Sequence, residues 1–395
     1  MAPTALLLSG PHGLGHEMPM RSFRDVLRRS GWRVRTRDSM ALLGSAAAQA
    51  GQRVFDRLMS VPGVYDGLHF AELRTGNRVA RLAERAAARR VVPALRADLD
   101  RAPADLVLSV FATGALAAAR LKAATPPGTA PDFRAVVYCP DVAAHKLWVH
   151  EGTDLFLVSS PAAAASVRRF RPLAPVALVP PPVRAAFYEA PGQQRAREPL
   201  GVPADARCAL LIDSGWGFAP LAGATAGLAD AGVHVLAVAG RNAGLERELR
   251  ELAAGRPNMT AFGFTDLVPE LMAAADLVVA LPGAATCAEA RVVGRRLLLL
   301  DVMPGHGRDN LLHELELGGA HVAQPTARGL TESALAVRDE VMSTPGPAKP
   351  PPRWEPAYAA ALRQIGVDLH PPVPAAPSGP APGPAATVTE GAAWT

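Results

Sequence analysis

Only three cysteines occur in 395 residues, and Cys139, Cys208 and Cys287 stand far apart with no metal-ligand spacing. That excludes a disulfide scaffold and a cysteine-based metal site, and leads us to expect reduced thiols in the cytoplasm. Lysine is nearly absent: it supplies 3 of the 41 basic residues while Ala, Gly and Pro abound, a bias that follows from the base composition of the coding DNA. No stretch approaches about 18 apolar residues without a charge or a breaker, and no basic segment followed by an apolar one opens the chain. The expectation is a protein that neither crosses a membrane nor is secreted. A dinucleotide fingerprint is missing too. "LLLSGPHGLGHEM", residues 6–18, carries its glycines at 10, 13 and 15, the wrong order for G-x-G-x-x-G, although Asp38 stands where a ribose-binding acid would sit. An NAD-dependent enzyme is thereby disfavoured.

The hydrophobic content of 49% is enough for two cores, and the length exceeds what one core usually serves. Apolar strand-like runs alternate with helix-like stretches: "TALLLS", "WRVRTRD", "DLVLSV", "RAVVYC", "DLFLVSS" and "PVALVP", then "CALLIDS", "VHVLAVAG", "MTAFGF", "DLVVAL" and "RRLLLLD". This rhythm belongs to parallel sheets with crossover helices. It predicts two doubly wound α/β domains facing each other across a cleft: residues 1–180, a Pro-rich linker at 181–206, and residues 207–345. A C-terminal helix at 346–369 and a disordered Pro/Ala-rich tail at 370–395 complete the expectation. The charge is uneven, with 24 Lys and Arg against 14 Asp and Glu in residues 1–180, and 17 against 22 beyond. A basic first half suits an anionic surface or acceptor, or is simply a set of solvated arginines.

A glycine-rich turn that opens a helix presents backbone N–H groups and the positive end of a helix dipole. His16 stands where that loop becomes a helix. It is a candidate general base at neutral pH, or else a capping or turn residue.

The stretch "GFTDLVPELMAAADLVVALPGAATCAEARVVGRRLLLLDVMPGHGRDNLLHELELGGA", residues 263–320, combines G-F-x-D before a helix, A-D at a strand start, G-A-x-T-x-x-E at a helix start and an Asn after a P-G turn. It resembles the donor-binding half of GT-B glycosyltransferases of family 28, the group that includes the peptidoglycan N-acetylglucosaminyltransferase and monogalactosyldiacylglycerol synthase. "SGPHGLGHEM", "YCPDVAAHKLW" and "AGRNAGLERELRELA" resemble further segments of that group, so the likeness runs from about residue 4 to about residue 322. It implies the GT-B fold, two Rossmann-like domains with the acceptor on the first and a nucleotide sugar on the second.

On this resemblance Glu289, on the first turn of its helix, would take the ribose hydroxyls. Gly283, Ala284, Ala285 and Thr286 would meet the diphosphate, with Arg241 and the loop glycines Gly13, Gly15 and Gly215. Phe264 and Thr265 would read the uracil edge, which makes UDP the nucleotide, and Asp309 and Asn310 would face the sugar. His16 is the first choice for the base, with Asp141 and His145 as rivals. Trp148 reads as core or cleft wall. Each has a structural alternative: a helix cap for Arg241, an N-cap for Asp309 and Asp141, a dipole partner for Glu289 and a buried histidine for His145. No D-x-D pair stands at a strand end, so transfer is expected to be metal-independent, and the resemblance implies an inverting displacement, with no cofactor beyond the UDP-sugar substrate and no nucleic-acid partner.

Two departures from the family pattern stand out. "LLIDSGWGFAP" has Asp213 and Ser214 where small residues are expected, a carboxylate that would repel a diphosphate unless turned away, and Pro282 precedes Gly283. N-acetylglucosamine, glucose and galactose all remain open as donor sugar. The acceptor is a lipid at the inner membrane face, reached through Arg21, Arg24, Arg28 and Arg29 on the first helix, or a soluble small molecule. Two other readings stand beside this: a GT-B-fold binding or regulatory protein without transfer activity, and a UDP-sugar 2-epimerase using Asp141, His145, His306 and Asp309.

Overall fold

The computed structural model describes residues 2–10, 14–44, 78–126, 128–213, 220–302, 306–343 and 351–369. The first domain runs β1 (Thr4–Ser9), α1 (Leu14–Arg29), β2 (Arg33–Asp38), α2 (Arg78–Arg101), β3 (Leu106–Ser109), α3 (Ala112–Ala124), β4 (Arg134–Cys139), β5 (Leu155–Val158), α4 (Pro161–Phe170) and β6 (Val176–Leu178). Its strands form one parallel sheet in the order β2-β1-β3-β4-β5-β6. All six residues of β1 are buried, as a strand covered by helices on both faces must be. β2, "RVRTRD", is mostly exposed and ends the sheet in charge, which discourages further strands from adding there. α3 lies close because it is built of alanines, and a Cβ on Gly114 would come within 2.8 Å of the Leu8 side chain. Gly152, with φ +87°, turns the chain against the same helix, where a Cβ would strike the Ala119 carbonyl.

Residues 181–206 are more than a tether. They form α5 (Ala185–Tyr188) and α6 (Gln193–Arg197), and Arg197 is buried, donating to both Asp276 oxygens at 3.0 and 3.1 Å and to the Ala274 carbonyl at 2.9 Å. The segment is thereby fastened to the second domain.

That domain runs β7 (Cys208–Ile212), α7 (Leu221–Asp230), β8 (His234–Val238), α8 (Ala243–Ala253), β9 (Met259–Phe262), α9 (Val268–Ala274), β10 (Leu277–Ala280), α10 (Ala284–Val292), β11 (Arg296–Leu300), α11 (His306–Glu316), β12 (Ala320–Ala323) and α12 (Ala327–Ser343). The parallel order is β12-β11-β10-β7-β8-β9, the doubly wound arrangement whose direction reverses between its first and fourth strands. β12 is a strand that the apolar pattern does not announce: "AHVA" is short, half-exposed and lies at the sheet edge.

The last described helix, α13 (Glu355–Arg363), returns to the first domain. Trp354 and Tyr358 are buried there against Phe23 of α1, with ring centroids 5.2 and 4.9 Å away, and Trp354 Nε1 donates to the Val183 carbonyl at 2.9 Å. The tail beyond 369 lies outside the described residues. Replacing a buried aromatic by alanine costs about 3–5 kcal/mol. Trp354→Ala is therefore expected to lower the urea midpoint of the first domain's unfolding, followed by Tyr138 and Trp32 fluorescence, while leaving the second domain's transition in place.

Candidate active site

In doubly wound sheets ligands sit outside the strand carboxyl ends, where the strand order reverses. The first sheet reverses between β1 and β3. His16, on the first turn of α1 just after β1, reaches across that point: its Nδ1 lies 2.8 Å from the carbonyl of Val110, which follows β3. A carbonyl can only accept, so Nδ1 carries the proton and Nε2 is the basic nitrogen. The imidazole edge meets Phe111 at 5.0 Å and lies 6.3 Å from Trp148. Gly10 is the residue that lets Phe111 come so near, since a Cβ there would overlap the ring.

Trp148 is buried and stands between His16 and His145, 6.1 Å from the latter, so it forms wall rather than platform. Asp141 is half-buried after β4. Its neighbour Val142 donates its backbone N–H to Asn310 Oδ1 at 3.2 Å, which joins the two domains.

In the second sheet the reversal falls between β7 and β10, and α10 starts there with Gly283 as its N-cap and Cys287 N–H making the first helical bond to the Gly283 carbonyl. The N–H groups of Ala284, Ala285 and Thr286 thus open toward an anion. Glu289 belongs to the second turn of α10, not the first, because the helix opens at Ala284. It is 6% exposed and 4.0 Å from Arg184 Nε, and burial pushes its carboxyl up to about 7 against the pull of that guanidinium.

Arg241 caps no helix terminus. Asn242 is the N-cap of α8, accepting from Leu245 N–H at 3.0 Å, while Arg241 lies 4.9 Å from the Phe264 ring centroid and donates to Glu17 of α1 at 3.0 and 3.2 Å. Phe264 is 45% exposed, and Thr265 Oγ1 accepts from Leu267 N–H at 3.2 Å.

Asp213 is buried and accepts from Asn242 Nδ2 at 3.4 Å, so its carboxylate is engaged by the residue that caps α8. Asp309 lies inside the first turn of α11, which opens at His306, and is no N-cap; Asn310 beside it is buried. Gly13, Ser214, Gly215 and Gly217 lie outside the described residues, and Gly15 is described only as backbone of α1. Among the described residues no group of three or more His, Cys, Asp or Glu is placed to hold a metal ion.

Two contributors escaped the sequence reading. Glu17 looks like an ordinary acidic residue in a helix's first turn, and Arg184 like one more arginine in a linker. Apposition of the two domains brings Glu17 to Arg241, and the path of the linker over the second domain brings Arg184 to Glu289.

Residues 221–315 match the glycosyltransferase family 28 C-terminal domain. That match lies within the second half of the chain. Over 155 residues the chain is 37% identical to the UDP-N-acetylglucosamine–N-acetylmuramyl-(pentapeptide) pyrophosphoryl-undecaprenol N-acetylglucosamine transferase of Mycobacterium bovis, covering 37% of each chain. Over 198 residues it is 25% identical to the processive diacylglycerol beta-glucosyltransferase of Bacillus pumilus, covering 49% of this chain and 51% of that one. The chain thus matches about half or less of the length of these curated relatives. MurG of Acinetobacter baumannii superimposes with a TM-score of 0.53 at 16% identity, over 86% of this chain and 92% of its own. A UDP-glucosyltransferase from Polygonum tinctorium gives 0.53 at 13% identity, over 92% and 98%. The architecture is GT-B, two Rossmann-like α/β domains facing across a cleft.

The raised Glu289 carboxyl gives a stability signature. Folding favours its protonated form, so its contribution is fully present below the unfolded value near 4.5 and is lost as pH rises through about 7. Glu289→Gln, neutral at every pH, is expected to gain in melting temperature over the natural chain as pH rises from 5 to 8. A constant difference across that range would contradict a buried, displaced carboxyl.

Proposed function

We propose that this protein is an inverting, metal-independent glycosyltransferase that moves a hexose or N-acetylhexosamine from a UDP-sugar to a lipid acceptor. The observation that carries the reading is the start of α10, within a family 28 donor domain, at the switch point of one sheet while His16 is anchored at the switch point of the other. His16 Nε2 takes the proton from the acceptor hydroxyl as that oxygen attacks the anomeric carbon. The bond from that carbon to the UDP oxygen breaks on the opposite face, which inverts the centre. The Ala284, Ala285 and Thr286 N–H groups and the Arg241 guanidinium stabilise the charge that gathers on the diphosphate. Glu289 holds the ribose, and the Phe264–Thr265 backbone reads uracil. Asp309 and Asn310 face the sugar, and Asp141 and His145 border the acceptor side.

The names of the relatives point to a lipid acceptor, one to a diacylglycerol and one to an undecaprenol-linked pyrophosphate. No helix among the described residues is long and apolar enough to cross a membrane. In this reading the protein meets the lipid peripherally, from the cytoplasmic side. The basic face of α1 is narrower than its spacing suggests. Arg21 is turned onto Glu17, Arg24 meets Asp25 and Arg29 stands 4.0 Å from Glu355, which leaves the exposed Arg28 as the one of the four without an acidic partner among the described residues. Neither the 2-epimerase nor the non-catalytic reading draws support from the relatives.

Calorimetric titration with UDP, UDP-glucose, UDP-galactose and UDP-N-acetylglucosamine tests the donor site, and mass spectrometry with diacylglycerol or a soluble alcohol tests the acceptor. Micromolar UDP binding lost in Glu289→Ala is expected. His16→Ala should retain that binding and lose about 10²–10⁴-fold in transfer rate. A reversible change of the sugar without acceptor would replace this reading by the epimerase.

A further inference from the structure

Glu17 follows the candidate base directly, and its carboxylate leaves its own domain. Arg241 Nη1 and Nη2 donate to its two oxygens at 3.0 and 3.2 Å, and Arg21, one turn along α1, donates to Oε1 at 2.6 Å. Burial opposes ionisation of Glu17, and the two guanidiniums outweigh it and hold its carboxyl below the ordinary value. A carboxylate seated on the guanidinium fork takes up the same two donors that a pair of phosphate oxygens takes. Arg241 is itself 60% exposed, so the pair sits at the mouth of the cleft in reach of solvent and ligand. The Arg241 guanidinium also lies over the Phe264 ring, 4.9 Å from its centroid, a cation–π contact that adds to its anchoring.

We propose that Glu17 is a built-in occupant of the donor's diphosphate position, an internal anion that an incoming nucleotide diphosphate displaces from Arg241. This rests on the donor-site reading of Arg241 given above. The exchange is an ion-pair swap: the diphosphate takes the Arg241 fork, and Glu17 keeps Arg21. Since Glu17 and His16 are consecutive residues of α1, the swap unfastens the base-bearing helix from the second domain when donor arrives. The seat of the first helix then depends on whether a donor is present. An exposed ion pair is weak and screened by salt, which is what an exchangeable latch needs.

The test compares the natural chain with Glu17→Gln by calorimetric titration with UDP and with uridine, which lacks the diphosphate. UDP is expected to bind roughly 2- to 5-fold more tightly to the variant, the range an exposed ion pair supplies, with uridine affinity unchanged. In the Arg241→Ala background the effect of Glu17→Gln on UDP is expected to vanish, which a general loosening of the fold would not produce. Equal UDP affinity in the two proteins, or weaker binding to the variant, would overturn the displacement and leave the donor site standing. If neither protein binds UDP or uridine, the donor-site reading falls and the displacement with it.

Discussion

Parallel strands impose the geometry on which the rest of this molecule depends. Each strand must return to the same edge before the next begins, so a covering helix follows nearly every strand and all carboxyl ends of a sheet come out on one side. Backbone donors at helix starts therefore gather on that edge, at the point where the winding reverses. The two sheets bring such edges together. Val142 N–H on Asn310, Glu17 on Arg241 and the packing of α1 beside α10 are among the contacts that hold them face to face. Because α13 packs Trp354 and Tyr358 under Phe23 of α1, the chain's last described helix secures the element that carries His16.

Electrostatics divides the work between the halves. The second domain offers backbone N–H groups at the α10 start and the exposed Arg241 guanidinium, while Asp213 is held by Asn242 and Glu289 is desolvated toward neutrality. On the other side several basic residues are tied to carboxylates inside the domain. Arg35 and Arg37 converge on Asp98 at 2.9 and 3.2 Å, Lys122 meets Asp154 at 2.6 Å, and Arg120 and His150 share the buried Glu84, whose carboxyl they hold down to about 2 against the cost of burial. Arginines that neutralise buried carboxylates hold helices to the sheet and are not available to an anionic surface.

What the sequence by itself determined is the pair of parallel sheets and the order of the motifs shared with the family 28 C-terminal domain. Fully buried strands need unbroken apolar runs, as in "TALLLS" and "RRLLLL", and α10 must begin after "LPG", so periodicity and turn residues show both. It missed β12, whose edge position asks for little hydrophobicity, and the anchoring of the linker by Arg197 to Asp276, since an ion pair between residues 79 positions apart leaves no periodic trace. The tertiary structure alone decided the turn of α10 on which Glu289 sits and the protonated nitrogen of His16. It also decided the direction of Asp213 and the meeting of Glu17 with Arg241 across 224 positions. Each of these depends on which side chain is brought within about 3 Å of another by packing, a distance that no local pattern of residues encodes.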